Sequence, residues 1–214
     1  MIISEYLMWL VPLGFYVFDC FVLLADDELL IEENYRLKLY PRYSASPFTW
    51  KGRNLYLLPI LNPCAGAVKL KWFLDDADKD PGADPKRELK AAFSGNGAFR
   101  VIAIITFLNF FLIGPIFTYA FGLVLTIQVV LSLHLFALAL TSYFYVPKNG
   151  SHKTYLVNLF EFALCPGYLA NIVRRQLNER QGGLSCSLSD LDQVLTAGDM
   201  EYLRHQVALR QEVD

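Results

Sequence analysis

From Val101 to Val146 the sequence contains no Asp, Glu, Lys or Arg, and no Lys or Arg precedes Arg36. A bilayer core about 30 Å thick takes roughly 20 apolar residues per helix, so the uncharged run suits two crossings and is too long for one. The missing basic start ("MIISE") argues against a secretory signal, as does Leu23 two residues before Ala25 in the place of a small residue. No lipobox surrounds Cys20. The cysteines are Cys20, Cys64, Cys165 and Cys186, without C-x-x-C spacing or Cys/His clustering. That excludes a disulfide framework and a zinc site. No G-x-S-x-G, H-E-x-x-H, P-loop or dinucleotide fingerprint occurs, so no enzyme class announces itself. No basic patch with interleaved aromatics of the single-strand-binding kind occurs either, and no nucleic-acid partner is expected.

What is present is apolar. The chain has 214 residues, 54% hydrophobic and 19% charged, against about 25% charged in an average soluble domain. The expectation is an all-α integral membrane protein in the plasma or inner membrane. Three full transmembrane helices are expected: Tyr6–Ala25, with an exit to water at Ala25, and a hairpin over 101–146 that reverses near Thr118–Gly122 with a kink at Gly114–Pro115. Two shorter stretches, Asn54–Val68 and Tyr155–Val173, join Pro, Cys and Gly and are followed by cations. They read as a weak internal repeat of partial or re-entrant segments. If only the three long runs cross, every Lys and Arg lies on one face. The positive-inside rule then sets the N-terminus outside and the C-terminus in the cytoplasm. The expected organisation is 1–25 first helix, 26–100 cytoplasmic or interfacial connector, 101–146 hairpin, 147–175 broken apolar helix and 176–214 soluble helical tail.

The polar segments carry their own candidates. "NYRLKLYPRYSASPFTWKGR" interleaves aromatics with cations, the pattern of a headgroup-level segment. Arg36, Lys38, Arg42 and Trp50 are its candidate lipid-headgroup contacts. Asp76, Asp78 and Asp80 match the opening of an EF-hand, but Pro81 stands where Gly belongs and Arg87 where Glu belongs, so no metal is expected. In the tail, Ser187 and Asp190 have capping-box spacing. A following helix, with Asp199 as its cap, carries Met200, Leu203 and Val207 on one face, a candidate partner-binding stripe.

Charged or polar groups inside a bilayer invite a functional reading, because each costs about 2.5–3.5 kcal/mol at the helix centre. Asp19, His134 and Glu161 are the candidates, for helix contacts or for an ion path. His152 and His205 lie in polar segments, so no bis-His haem is expected and no cofactor is assigned. No catalytic residue is assigned. The functional expectation is a small membrane subunit or adaptor that assembles with other membrane proteins in the lipid bilayer. Alternatives are an oligomeric channel or transport element and an interfacial lipid-handling enzyme.

Overall fold

The computed structural model describes residues 2–25, 27–33, 39–42, 48–73, 85–145, 152–181 and 185–211. The chain divides into two compact units built from alternating segments. Unit 1 comprises Met1–Val22, Tyr56–Gly66 and Gly95–Gly182, and unit 2 comprises Leu23–Leu55, Ala67–Ser94 and Gly183–Asp214.

Unit 1 is helical. Helix α1 spans Ile2–Asp19 and ends six residues before the expected exit at Ala25, because Phe21–Leu24 forms strand β1. Among the described side chains its apolar stretch is Leu7–Asp19, shorter than a membrane span. Helices α3 (Gly97–Leu108) and α4 (Gly114–Phe121) are joined through a π-helical turn, Asn109–Ile113. Pro115 has no N–H, and its ring crowds the carbonyl four residues back. The π turn relieves this by one extra residue, and the Gly114 N–H bonds to the Asn109 carbonyl. The chain reverses at Gly122, whose φ of 79° suits glycine. Helix α5 (Leu123–Phe144) then runs back along α3 and α4. The joined helix Gly97–Phe121 and α5, 25 and 22 residues long, are the two helices among the described residues long and apolar enough to cross a membrane.

Helix α1 runs antiparallel to α3–α4. The Trp9 ring lies where a Cβ on Gly114 would sit, at 2.8 Å, and its indole N–H donates to the Thr118 hydroxyl at 3.2 Å. Farther along, the Tyr16 ring packs against Phe107 and Phe111 at 5.3 and 5.2 Å between centroids. The last part of unit 1 is the broken helix: α6 (His152–Leu164), α7 (Pro166–Ala170) and α8 (Ile172–Gln181), interrupted at Cys165. Gly167 lets α7 meet the backbone of α1. A Cβ there would stand 2.7 Å from the Tyr16 nitrogen and 2.9 Å from the Pro12 carbonyl oxygen.

Seven strands among the described residues overturn the all-α expectation. Strands β2 (Glu28–Glu33), β3 (Leu39–Arg42), β6 (Ala67–Phe73) and β7 (Ser185–Ser187) form a sheet of order β3-β2-β6-β7; β4 (Thr49–Trp50) and β5 (Arg53–Leu57) join β1 in the order β1-β5-β4. The sheet is antiparallel except for the β6–β7 pair, with Ile31 opposite Val68 and Trp72 opposite Cys186. Leu29, Leu30 and Ile31 are all buried, so β2 is covered on both faces and reads as a continuous apolar run. Such a run cannot be told from a helix by periodicity. That is why the segments 21–24 and 54–68 misled: the first is a strand, and the second is the end of β5, a loop and the start of β6. Unit 2 also holds helices α2 (Pro85–Phe93), α9 (Leu188–Leu191) and α10 (Ala197–Gln211). Ser187 caps α9, with its hydroxyl accepting from the Asp190 N–H at 3.3 Å. At α10 the cap is Thr196 and not Asp199: the Asp199 carboxylate reaches back to the Thr196 N–H at 3.2 Å, and the Thr196 hydroxyl accepts from the Asp199 N–H.

Cys186 is buried in β7, and that burial, with the nearby Asp190 and Glu88 carboxylates, pushes its thiol up to about 12. The folded state therefore keeps a proton that the unfolded chain releases above pH 9.0. Stability is unaffected by this group below that pH and falls as pH rises towards 12. Denaturant unfolding at pH 8 and pH 10.5 checks this, since Cys186→Ala should lose less stability than the natural chain over that interval. Gly167→Ala should destabilise unit 1 by about 1–3 kcal/mol, because the new methyl meets backbone atoms that cannot move aside. A lowered melting temperature in mild detergent would report it.

Candidate functional site

Two consecutive arginines near the start of α8 organise unit 1. Neighbouring helix positions point about 100° apart, and these two side chains serve different partners. Arg174 is buried. Its Nε donates to the Ala65 carbonyl at 3.3 Å. One terminal nitrogen donates to Cys20 Sγ at 3.0 Å and Asn171 Oδ1 at 2.8 Å. The other donates to the carbonyls of Pro59 and Asn62 at 2.8 and 3.1 Å. All five N–H groups of the guanidinium fork are thereby used, and every acceptor is neutral. Three of them are backbone carbonyls of the 58–66 loop, which has no strand or helix of its own; those of Pro59 and Asn62 also accept from the Asn62 and Ala65 N–H groups in the loop's own turns, at 3.4 and 3.1 Å.

Arg175 takes the charged partners. It grips Asp19 with two nitrogens, at 3.3 and 3.1 Å, and donates to Glu161 at 3.0 Å. Its guanidinium lies over the Tyr168 ring, 3.9 Å from the centroid. The stacked, two-pronged geometry suits arginine and would not be reproduced by lysine. Together the two guanidiniums and two carboxylates balance to zero charge. The cluster ties the end of α1, through Asp19, to α6, α7 and α8.

The same region answers the bonding needs left by the helix ends. Asn171 Nδ2 donates to the Tyr16 carbonyl near the C-terminus of α1 at 3.3 Å. The Tyr16 hydroxyl donates to the Ile60 carbonyl at 2.6 Å. Pro166 cannot donate to the Phe162 carbonyl, so the last turn of α6 is left short of donors. His134 of α5 supplies one: its Nε2 lies 3.3 Å from the Ala163 carbonyl oxygen. A carbonyl can only accept, so the imidazole carries its proton on Nε2. Its other nitrogen, Nδ1, is buried without a partner, as are Asn109 Oδ1 and Thr106 Oγ1 in the same hairpin.

Of the three polar candidates that the sequence marked, then, the fold brings Asp19 and Glu161 onto one arginine. His134 meets the same broken helix from α5 but bonds to backbone, not to the carboxylates. The residues that sequence reasoning missed are Arg174 and Arg175, read there as cations flanking an apolar segment. The available signal was two unpaired acids in apolar runs beside two arginines directly after one. The lipid-headgroup candidates divide: Arg36 and Lys38 lie outside the described residues, Arg42 is opposite Leu30 in β3, and Trp50 is exposed in β4. Met200 and Leu203 of the tail stripe are buried, while the side chain of Val207 lies outside the described set. Asp76, Asp78 and Asp80 also lie outside it. Among the described residues no three His, Cys, Asp or Glu side chains gather as a metal would require. No protein-family model matches the chain, and no curated protein or solved structure is detectably similar to it.

The two arginines should fail differently on substitution. Arg174→Lys supplies three donors where five are used and loses the planar fork, each lost hydrogen bond costing about 0.5–1.5 kcal/mol, and should open the 58–66 loop to limited proteolysis. Arg175→Lys touches no loop carbonyl and keeps a cation beside Asp19 and Glu161, so it should lower the melting temperature less and leave that loop protected. Equal loop cleavage in both variants would contradict the division of labour.

Proposed function

We propose that the chain is a non-catalytic integral-membrane subunit, anchored by the 97–144 hairpin, that assembles with other membrane proteins. The supporting observation is that the charged groups of its other apolar helices are consumed in holding helices together. Asp19 and Glu161 are both bonded to Arg175, and Arg174 has no free N–H. An ion path needs such groups exposed to a water-filled route and free to change partners, and here they are locked. Membrane insertion is favoured by where the apolar surface lies. A soluble core helix is mostly buried, whereas in the most apolar stretches of the two long helices only 39% and 22% of residues are buried. Val124, Leu131, Leu135 and Phe136 of α5 and Leu156, Phe160 and Leu164 of α6 are exposed. Lipid or an apolar partner must cover them.

The orientation we propose sets the Gly122 turn on the outer face of a plasma or inner membrane. Arg100 and Lys153 flank the hairpin on the opposite, cytoplasmic side. The pairing of Trp9 with Thr118 puts the start of α1 at the turn end of the hairpin, which favours an outer N-terminus. The C-terminus is then cytoplasmic.

Glu161→Gln is the discriminating variant. It preserves one hydrogen bond to Arg175 and removes a charge. A subunit role predicts unchanged hetero-assembly in mild detergent, with a melting temperature lowered by no more than a few degrees. Normal assembly together with lost ion or proton flux in reconstituted vesicles would overturn the subunit reading in favour of transport.

A further inference from the structure

Strands β4 and β5 form a tight hairpin that the cluster in unit 1 does not use. Thr49 pairs with Asn54 and Trp50 with Arg53, and the Leu55 N–H continues the ladder by donating to the Phe48 carbonyl at 2.9 Å. Residues directly opposite in an antiparallel pair share a face, as do residues two apart along a strand. Phe48, Trp50 and Arg53 therefore project from one face. Phe48 is 71% and Trp50 61% exposed, and Lys51 and Arg53 beside them are exposed too. The other two tryptophans, Trp9 and Trp72, are buried.

The turn itself adds a second observation. Lys51 and Gly52 have φ of 51° and 72°, the doubly left-handed pattern of a two-residue hairpin turn, which favours Asn, Asp or Gly at its first position. Among the described residues Lys51 is the one non-glycine with positive φ. A lysine is held there against its backbone preference, and such an outlier points to a use for the side chain. The use that fits is charge. An exposed aromatic pair with two cations at the tip matches the chemistry of a bilayer interface, where Trp sits at the headgroup level and Lys and Arg meet anionic phosphates.

We infer that the Phe48–Arg53 hairpin is a membrane-docking element that inserts Phe48 and Trp50 into the interface of an anionic bilayer and uses Lys51 and Arg53 to hold its headgroups. This rests on the reading of the chain as membrane-embedded, and it adds a second, peripheral contact made by unit 2.

The full-length protein in nanodiscs tests it, with phosphatidylcholine alone or mixed with phosphatidylglycerol. Subtracting the emission of Trp50→Phe isolates the Trp50 signal. With acyl chains brominated near the headgroup, that signal should be quenched by more than half in the anionic discs and clearly less in the neutral ones. Lys51→Glu combined with Arg53→Glu should remove the anionic preference. Lys51→Asn should raise the melting temperature of the protein while weakening the quenching, because the turn is relieved as the charge is lost. Trp50 emission quenched by aqueous iodide and untouched by brominated lipid would overturn the inference. So would a blue shift that depends on protein concentration and not on lipid, which would make the hairpin a protein contact. Alkaline carbonate extraction of the whole chain from native membranes would instead sink the membrane reading, and this separates the two failures.

Discussion

Burial of the Arg174 guanidinium is the condition on which the rest of unit 1 depends. A guanidinium taken out of water must have its donors satisfied, since each unmade bond leaves a desolvated N–H. Arg174 meets that requirement with the carbonyls of Pro59, Asn62 and Ala65, with Asn171 and with Cys20. In doing so it fixes a loop that has no regular structure to fix itself, and it sets that loop against the end of α1. The acceptors are neutral, so the charge is balanced one residue away, where Arg175 carries two carboxylates. Replacing buried ion pairs with apolar side chains is often neutral or stabilising in other proteins. Here the apolar alternative would remove the side-chain donors that tie the Pro59, Asn62 and Ala65 carbonyls to α8.

The break at Cys165–Pro166 is the second constraint. It lets α7 turn its Gly167 onto α1, and this brings Arg174 and Arg175 within reach of the α1 terminus. It also frees backbone acceptors at the end of α6, and His134 reaches one of them. A straight helix over 152–181 would satisfy its own backbone and could not present both arginines to α1 in this way. The π turn at Asn109–Ile113 plays a related part in the other long helix. It absorbs Pro115, and the adjacent Gly114 accepts the Trp9 ring. Backbone irregularity in this unit is thus concentrated where helices make their closest approaches, and the polar groups it releases are met by side chains.

Unit 2 is built on a different rule. Its central strand β2 is covered on both faces, and it pairs antiparallel with β3 on one side and β6 on the other. Surface pairs such as Asp27 with Lys71, at 3.1 Å, decorate that sheet and contribute about 1 kcal/mol or less each. The exposed hairpin of β4 and β5 contrasts with this covered strand, since its aromatic side chains face outward.

The sequence by itself determined the long uncharged hairpin, the reversal within Thr118–Gly122 and the break at Cys165–Pro166–Gly167. Each is written in local chemistry: the absence of charge over a run, a glycine free to take positive φ, a proline without an N–H. It also marked Asp19, His134 and Glu161 as groups that need partners. Tertiary structure alone decided that Phe21–Leu24 and Leu29–Ile31 are strands, because an apolar run has the same composition whether its neighbours are lipid, helices or other strands. It alone decided that Asp19 and Glu161 share Arg175, since 156 and 14 residues separate the partners along the chain and no local spacing encodes such meetings. Arg174 was hidden for the same reason. Its partners are mostly backbone carbonyls, which every residue possesses, and only the fold selects which of them turn towards the guanidinium.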